Sequence, residues 1–397
     1  MKHIEFKGTG GEYFKIWIVN VLLCILTLGI YYPWAKVRTN RYFYANTTYL
    51  DRFFDYHATG KQLFLGYLIA MFILIVIVII NQVFPMAGFI LPIVIFAVMP
   101  WIIWRSLKFT MRVTSFSNVR FSFKGALKTS YFIYMLIPVV GYLAVVLLIL
   151  GSLFPLMQSI EGDGSIPVAA STLIAVVGVV ATLGLAIYLG GLFTKKAAEY
   201  QVGQTKYGQG NFFIDIKTGT FVKIAFKTAL VAIGCYLVLA ALFAVIFSST
   251  MAGGFDPEAM ANEMATASAS PLLAIGLVLV YFGFIAAALL VAAYSYSRQR
   301  QYIYDNTTLD KAISFKSTVS AKRYFIVLLT NMLLTIVTLG LALPWAKVRV
   351  ARYLAENTWI EASDMDVNSY LTQKEKEQSA IGEEIGDILD IDMDIAL

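Results

Sequence analysis

The sequence predicts an all-α integral membrane protein of six to eight transmembrane helices, with internal repeats and short basic-aromatic, partly extended cytoplasmic segments. Three observations predict it. Hydrophobic residues fill 59% of the 397 positions and charged residues 14%, with a mean hydropathy of +0.72, whereas soluble domains run near a quarter charged. The apolar residues gather in eight stretches, several of which approach or exceed the roughly 20 residues that cross about 30 Å of hydrocarbon as helix. These stretches are continuously apolar rather than alternating with period two, which selects helices over barrel strands.

The stretches cover approximately residues 14–34, 63–84, 87–104, 131–154, 168–193, 222–247, 272–294 and 325–345. The first follows Lys2, Lys7 and Lys15 as the apolar core of a signal peptide would. Residues 29–34, Gly-Ile-Tyr-Tyr-Pro-Trp, are too bulky for a cleavage site, so this segment is expected to be retained. Between the stretches, residues 35–62, 105–128, 194–220 and 295–323 are rich in Lys and Arg. Residues 155–167 and 248–271 instead carry Glu161, Asp163, Asp256, Glu258 and Glu263 and no base. The positive-inside rule places the first set in the cytoplasm and the second outside.

A repeat runs through this pattern. Tyr13-Phe14, Asn20, Thr27-Leu28-Gly29, Pro33-Trp34-Ala35-Lys36-Val37-Arg38, Arg41-Tyr42 and Asn46-Thr47 recur further along the chain. At one constant offset they become Tyr324-Phe325, Asn331, Thr338-Leu339-Gly340, Pro344-Trp345-Ala346-Lys347-Val348-Arg349, Arg352-Tyr353 and Asn357-Thr358. Residues 302–308 with Arg298 echo 42–48, and Pro100-Trp101, Arg105, Arg112 and Asn118 form a fainter copy. The stretch with Thr182-Leu183-Gly184, Lys195 and Phe212-Phe213 is the most degraded. A Phe-Lys-small motif recurs at Phe6-Lys7-Gly8, Phe123-Lys124-Gly125 and Phe315-Lys316-Ser317. One unit is thus used about five times, framing a membrane domain over residues 1–360, clearest at 13–60 and 324–360, and an acidic tail at 361–397.

On these Thr-Leu-Gly, Pro-Trp-Ala-Lys-Val-Arg, Arg-Tyr and Asn-Thr blocks, the chain resembles the YjgN-like family of bacterial inner-membrane proteins of unknown function, over nearly its whole length. The resemblance implies a multi-pass protein of the bacterial inner membrane with an acidic C-terminus. It implies no reaction, ligand or catalytic residue.

Eight full spans would put the two copies of Pro-Trp-Ala-Lys-Val-Arg on opposite sides of the membrane. One resolution makes the first and last stretches re-entrant, broken at Gly29 and Gly340 and returning through Pro33 and Pro344, which leaves six full spans. The other keeps eight ordinary spans with one misfit terminus.

Chemistry is sparse. His3 and His57 are the only histidines, too few and too far apart in sequence for a metal site or an acid–base pair. Cys24 and Cys235 lie in apolar runs and read as reduced structural thiols. No P-loop, Gly-x-Ser-x-Gly, His-Glu-x-x-His or two-cysteine zinc spacing occurs, so neither catalysis nor a cofactor nor nucleic acid is expected. The apolar cores hold no Asp or Glu of the kind that ion-coupled transporters keep. They do hold Asn20 and Asn331, which read either as helix–helix contacts or as ligand contacts. Trp34, Lys36, Arg38 and Arg41, with Trp345, Lys347, Arg349 and Arg352, read either as interfacial anchors or as contacts to an anion or lipid headgroup.

Eleven of the 25 acids but only two of the 31 bases lie in residues 361–397, which leaves a net charge of about +15 on the rest of the chain. That tail is expected to be solvated or to dock on the basic face. The function classes left are transport or permeation of a small solute, a non-catalytic anionic-lipid-binding or scaffold role and, last, lipid modification. Membrane lipids, anionic ones included, are the expected partners.

Overall fold

All eight apolar stretches form helix, and the helices run on into the basic-aromatic segments beside them. The structure, a computed structural model, describes residues 2–83, 87–161, 167–251, 271–362, 367 and 369–377. Among them, six helical runs are long and apolar enough to cross a bilayer. They are α3 (Gly60–Val83), α4 (Ala87–Val113), α5 (Leu127–Tyr131) continued through a π-helical turn (Phe132–Leu136) into α6 (Ile137–Glu161), α7 (Val168–Gly203), α8 (Thr218–Met251) and α9 (Pro271–Asp305). The acidic segments expected outside, around Asp163 and at 252–270, and tail residues 379–397 lie outside the described residues.

The first and last stretches are built differently. Helices α1 (Gly10–Leu26) and α2 (Tyr32–Ala45) form one short helical hairpin, and α10 (Ala321–Val337) and α11 (Leu343–Glu356) form another. Their turns are the two Thr-Leu-Gly blocks. Leu28 and Gly29 have φ of 49° and 89°, and Leu339 and Gly340 have 51° and 92°, a left-handed backbone that glycine adopts without steric cost. The Thr27 hydroxyl donates to Leu23 O (2.7 Å) and accepts from Tyr31 N (3.0 Å). Thr338 repeats this with Leu334 O (2.8 Å) and Ala342 N (3.0 Å). Pro33 and Pro344 follow in the first turn of the returning helix, where no N–H is needed. At about 25 Å, α1 and α10 are shorter than the hydrocarbon layer is thick.

The all-α expectation is corrected by a sheet. Its strands are β1 (Lys2–His3), β2 (Glu5–Phe6), β3 (Thr47–Tyr49), β4 (Arg52–Tyr56), β5 (Thr114–Phe116), β6 (Val119–Phe123), β7 (Thr205–Tyr207), β8 (Gly210–Ile214), β9 (Thr307–Leu309), β10 (Ile313–Ser317) and β11 (Thr358–Ala362). All pairings are antiparallel, in the order β1-β11-β10-β9-β8-β7-β6-β5-β4-β3-β2. Only Ile4 separates β1 from β2, and its N–H donates to Thr358 O (2.9 Å). The N-terminal strand is therefore paired on both sides, and the sheet closes into an up-and-down barrel. Strands β3/β4, β5/β6, β7/β8 and β9/β10 are tight hairpins with left-handed residues at Leu50-Asp51, Ser117-Asn118, Gly208 and Asp310-Lys311, the backbone that two-residue hairpin loops require. The fifth hairpin, β11 with β1, is open at its tip, where Lys2 pairs with Ile360.

Each helical pair leaves the barrel from one strand and returns to the next. The helices pack on their chain neighbours, and α11 comes back onto α1, so the pairs form a ring. Threonines at the start of the return strands, Thr47, Thr114, Thr205, Thr307 and Thr358, donate to helical carbonyls one turn back at 2.6–2.8 Å. Asn46, Asn306 and Asn357 do the same at 2.8 Å, so the Asn-Thr pair ends a helix and opens a strand.

Two latches then close the ring. The hydroxyls of Tyr42, Tyr200, Tyr302 and Tyr353 bond the residue that precedes the first helix of their own pair, Thr9, Ala126, Lys217 and Ser320, at 2.8–3.2 Å. Arg41 reaches forward to Ala58 O (3.0 Å), Arg352 to Gly8 O (2.9 Å), Gln301 to Val319 O (3.2 Å) and Trp104 to Gly125 O (2.8 Å), each in the loop that opens the next pair. The Arg-Tyr dipeptides thus hold two neighbouring pairs at once.

Two sequence alignments shift by this geometry. Asn118 occupies a hairpin tip, while the place of Asn46 before the strand-opening threonine is taken by Val113. Phe315 faces the barrel lumen with Phe54, Phe121 and Phe212, whereas Phe6 and Phe123 pack among helices.

Replacing Arg352 with Ala removes a charge-assisted bond worth about 1.5–3 kcal/mol. The protein should melt measurably earlier in detergent, and Tyr353→Phe by less, about 0.5–1.5 kcal/mol. Melting of Arg352→Ala together with wild type would show that the forward latch contributes nothing.

Candidate functional site in the barrel axis

The residues singled out in the sequence lie on the two short hairpins, most of them engaged in packing. Trp34 packs at a tilt against Phe64 and Trp345 against Phe14, with ring centroids 5.1 Å apart in both cases. A Cβ on Gly60 or Gly10 would lie 2.2 Å from the Trp34 or Trp345 ring, so only glycine fits beneath either indole. Arg41 and Arg352 are occupied by loop carbonyls. Asn20 and Asn331, 4% and 7% exposed, bridge the helices of their hairpins. Their amides donate to Ala35 O (3.4 Å) and Ala346 O (3.1 Å), and their carbonyl oxygens accept from Arg38 and Arg349, 3.4 Å in both. Arg349 also donates to Thr330 (2.8 Å) and Arg38 to Tyr31 (3.3 Å). Lys36 and Lys347 are exposed and line one cavity between α1, α2 and α11.

The sequence reading missed the barrel axis. Cross-strand partners point inward as pairs: Phe54 with Phe116, Phe121 with Tyr207, Phe212 with Leu309 and Phe315 with Ile360. The Phe54 and Phe116 ring centroids are 4.5 Å apart and those of Phe121 and Tyr207 are 5.2 Å apart. A cavity of about 80 Å³ remains among these side chains. On the helix side lies a second cavity of about 310 Å³, whose walls include Leu107 and Met111 of α4, Gln201 of α7 and Ile303 of α9. Phe212 and Phe315 line both. The signal in the sequence was a phenylalanine at the centre of four of the five five-residue strands, β4, β6, β8 and β10, with Ile360 in that place in β11.

The opposite end of the lumen is closed by the C-terminal segment. Tyr370 and Leu371, 5% and 4% exposed, pack with Tyr49, Phe116, Tyr207, Leu309 and Ile313. The hairpin tips hold the rim of this stopper. Arg52 pairs with Glu375 (2.8 Å) and donates to Thr372 (2.9 Å), Ser117 donates to Glu375, and Asp310 accepts from Tyr370 (2.7 Å) and lies 3.6 Å from Lys374. Burial pushes the Tyr207 and Tyr370 phenols well above their ordinary range, with the Glu375 charge adding to the first and the Asp310 bond to the second. Both stay protonated, and Tyr207 donates to Phe116 O (3.0 Å).

One group has the residue types of a hydrolase triad. His57 Nε2 lies 2.7 Å from Ser115 Oγ and Nδ1 lies 3.9 Å from Asp55. Ser115 is 2% exposed, which leaves its hydroxyl out of reach of a substrate carbonyl. Among the described residues no group of three His, Cys, Asp or Glu side chains could hold a metal ion.

A ring of membrane-length helices carrying a stoppered barrel at one end defines a multi-pass membrane protein. The chain matches the family described as bacterial protein of unknown function (DUF898) over residues 1–388, and it belongs to that family. It is 31% identical over 381 residues to inner membrane protein YjgN of Salmonella typhimurium (strain LT2), which covers 94% of this chain and 91% of that one. The proteins of the same name from Escherichia coli O157:H7 and Escherichia coli K12 are 26% identical over 380 residues, with the same coverage. No solved structure matches the chain. The inner-membrane location that the sequence resemblance implied therefore stands.

Leucine in place of Asn20 or Asn331 unties one short hairpin and leaves its arginine without that acceptor. Interhelical polar contacts in membranes are worth about 0.6–2 kcal/mol, so each variant should lose detergent stability by that order and the double variant by more. Stability unchanged in all three would remove the bridging role.

Proposed function

We propose that the protein is a gated, non-catalytic passage for an apolar or amphiphilic molecule between the bilayer and the cytoplasmic face. The observation that carries this reading is the pair of cavities that share Phe212 and Phe315 and end at a stopper made from the chain itself. The barrel carries the basic hairpins, and the positive-inside rule assigns that end to the cytoplasm.

The lining selects the solute. A hydroxyl or amide entering an aromatic lumen without a partner loses about 2–7 kcal/mol of hydration, whereas each buried methylene gains about 0.8 kcal/mol. Of the small solutes that the repeats left open, a polar one fits this axis poorly and a hydrocarbon chain fits it. The stopper is displaceable at moderate cost. Its ion pairs are partly exposed and pairs of that kind contribute about 0–1 kcal/mol, so the burial of Leu371 and Tyr370 supplies most of the hold.

The test uses protein reconstituted in phosphatidylcholine vesicles and a fluorescent dodecyl sulfonate, whose permanent charge makes it slow to cross a bare bilayer. Leu371→Asp should speed probe movement several-fold over wild type, because a carboxylate cannot stay in the lumen. A Leu371→Asp protein that melts like wild type and moves the probe no faster would overturn the reading.

A further inference from the structure

The geometry points to a binding site for the phosphate of an anionic phospholipid at the seam where the last helical hairpin meets the first. The site does not depend on the axial passage. It is a cavity of about 520 Å³ lined by α1, α2 and Lys347 of α11. Lys36 and Lys347 stand at matching positions of two copies of the repeat, and packing α11 on α1 brings both into one cavity. Neither ammonium has an acidic partner among the described residues. Two like charges brought together without a counter-charge form a focus for an anion.

The depth of the cavity selects a lipid. Arg38 and Arg349 hold the same place before the strand-opening threonine as Arg105, Lys196 and Arg298 on α4, α7 and α9. In those long helices the corresponding bases are among the first charges met on leaving the apolar span, which sets them at the headgroups. Lys36 and Lys347 lie about 3 Å further in at the helical rise, at the boundary between headgroup and acyl chain. The turns of the hairpins lie deeper and are apolar, with Leu28 92% and Leu339 94% exposed. That is the disposition of a segment inserted into one leaflet.

The cavity wall changes character along the same direction. Thr39 and Asn40 of α2 lie toward the barrel, Lys36 lies about level with Val21 of α1, and Cys24 and Ile25 of α1 lie toward the turn. A phosphate at the lysines would run its acyl chain along Cys24 and Ile25.

Cys24 gives the site a reporter, since Cys235 is the only other cysteine. Full-length Cys235→Ser protein in nanodiscs would be labelled at Cys24 with a small maleimide. Phosphatidylglycerol should slow labelling several-fold relative to phosphatidylcholine. Lys36→Gln with Lys347→Gln should abolish the difference and lower retention of phosphatidylglycerol roughly tenfold or more, two bases each attracting anionic lipid. Lys124→Gln with Lys128→Gln, away from the seam, should leave both readings unchanged. Both lysines are exposed and have no acidic partner among the described residues, so the double variant should fold, and its melting temperature checks that it has. Equal labelling in the two lipids would overturn the site. Protection by inorganic phosphate in detergent as strong as that by phosphatidylglycerol would overturn the lipid assignment.

Discussion

The hydrogen bonds that the strand at Lys2–Phe6 makes along both of its edges, to β11 on one side and β3 on the other, set the shape of the molecule. Without either set the sheet would be open, with two rows of unpaired backbone groups. With both, the starting points of all the helical pairs are fixed on a circle. The short pairs at the two ends of the chain become neighbours, although they are far apart in sequence. The lumen, the stopper and the lysine cavity all follow from that closure.

The division of labour between barrel and helices is unusual for a membrane protein. In each of the six long helical runs, no more than 17% of the most apolar stretch is buried. Each packs on its chain neighbours, while most of its surface is left to lipid. The barrel end adds to this, where threonine, tyrosine and arginine tie helix ends to strands and loops. An up-and-down barrel of this strand number is wider than one of eight strands, whose interior side chains just fill. Large aromatic side chains and Leu371 take up the extra width here.

Much of this was legible in the sequence where residues obey a long period, and little where they obey a short one. The six long helices follow from apolar length alone. The turns of the two short hairpins fall at Thr-Leu-Gly, where a breaker interrupts an apolar run. That the basic-aromatic segments are partly extended was legible, but their pairing into a closed sheet was not, because strands of two to five residues are too short to show alternation, and flanking helices of mixed charge hide them. Aligning Asn118 with Asn46 failed for the same reason: an asparagine suits both a helix end and a left-handed hairpin tip, and only pairing tells them apart. Of the candidate residues, Arg41 and Arg352 look like free cations in sequence, yet both are bonded to carbonyls of the neighbouring loop. Lys36 and Lys347 became a pair only when the ring closed.

The open tip of the fifth hairpin carries a consequence for how the protein is made. The contact that completes the barrel pairs Lys2 with Ile360, and all five helical pairs lie between them in sequence. Contacts of such separation form slowly because the intervening chain must first be gathered. The N-terminal strand must wait, paired on one edge at most, while every membrane helix is inserted. Until then each nascent molecule displays a sheet edge able to accept a strand from any neighbour. A chain without β1 or without β11 therefore leaves the ring open.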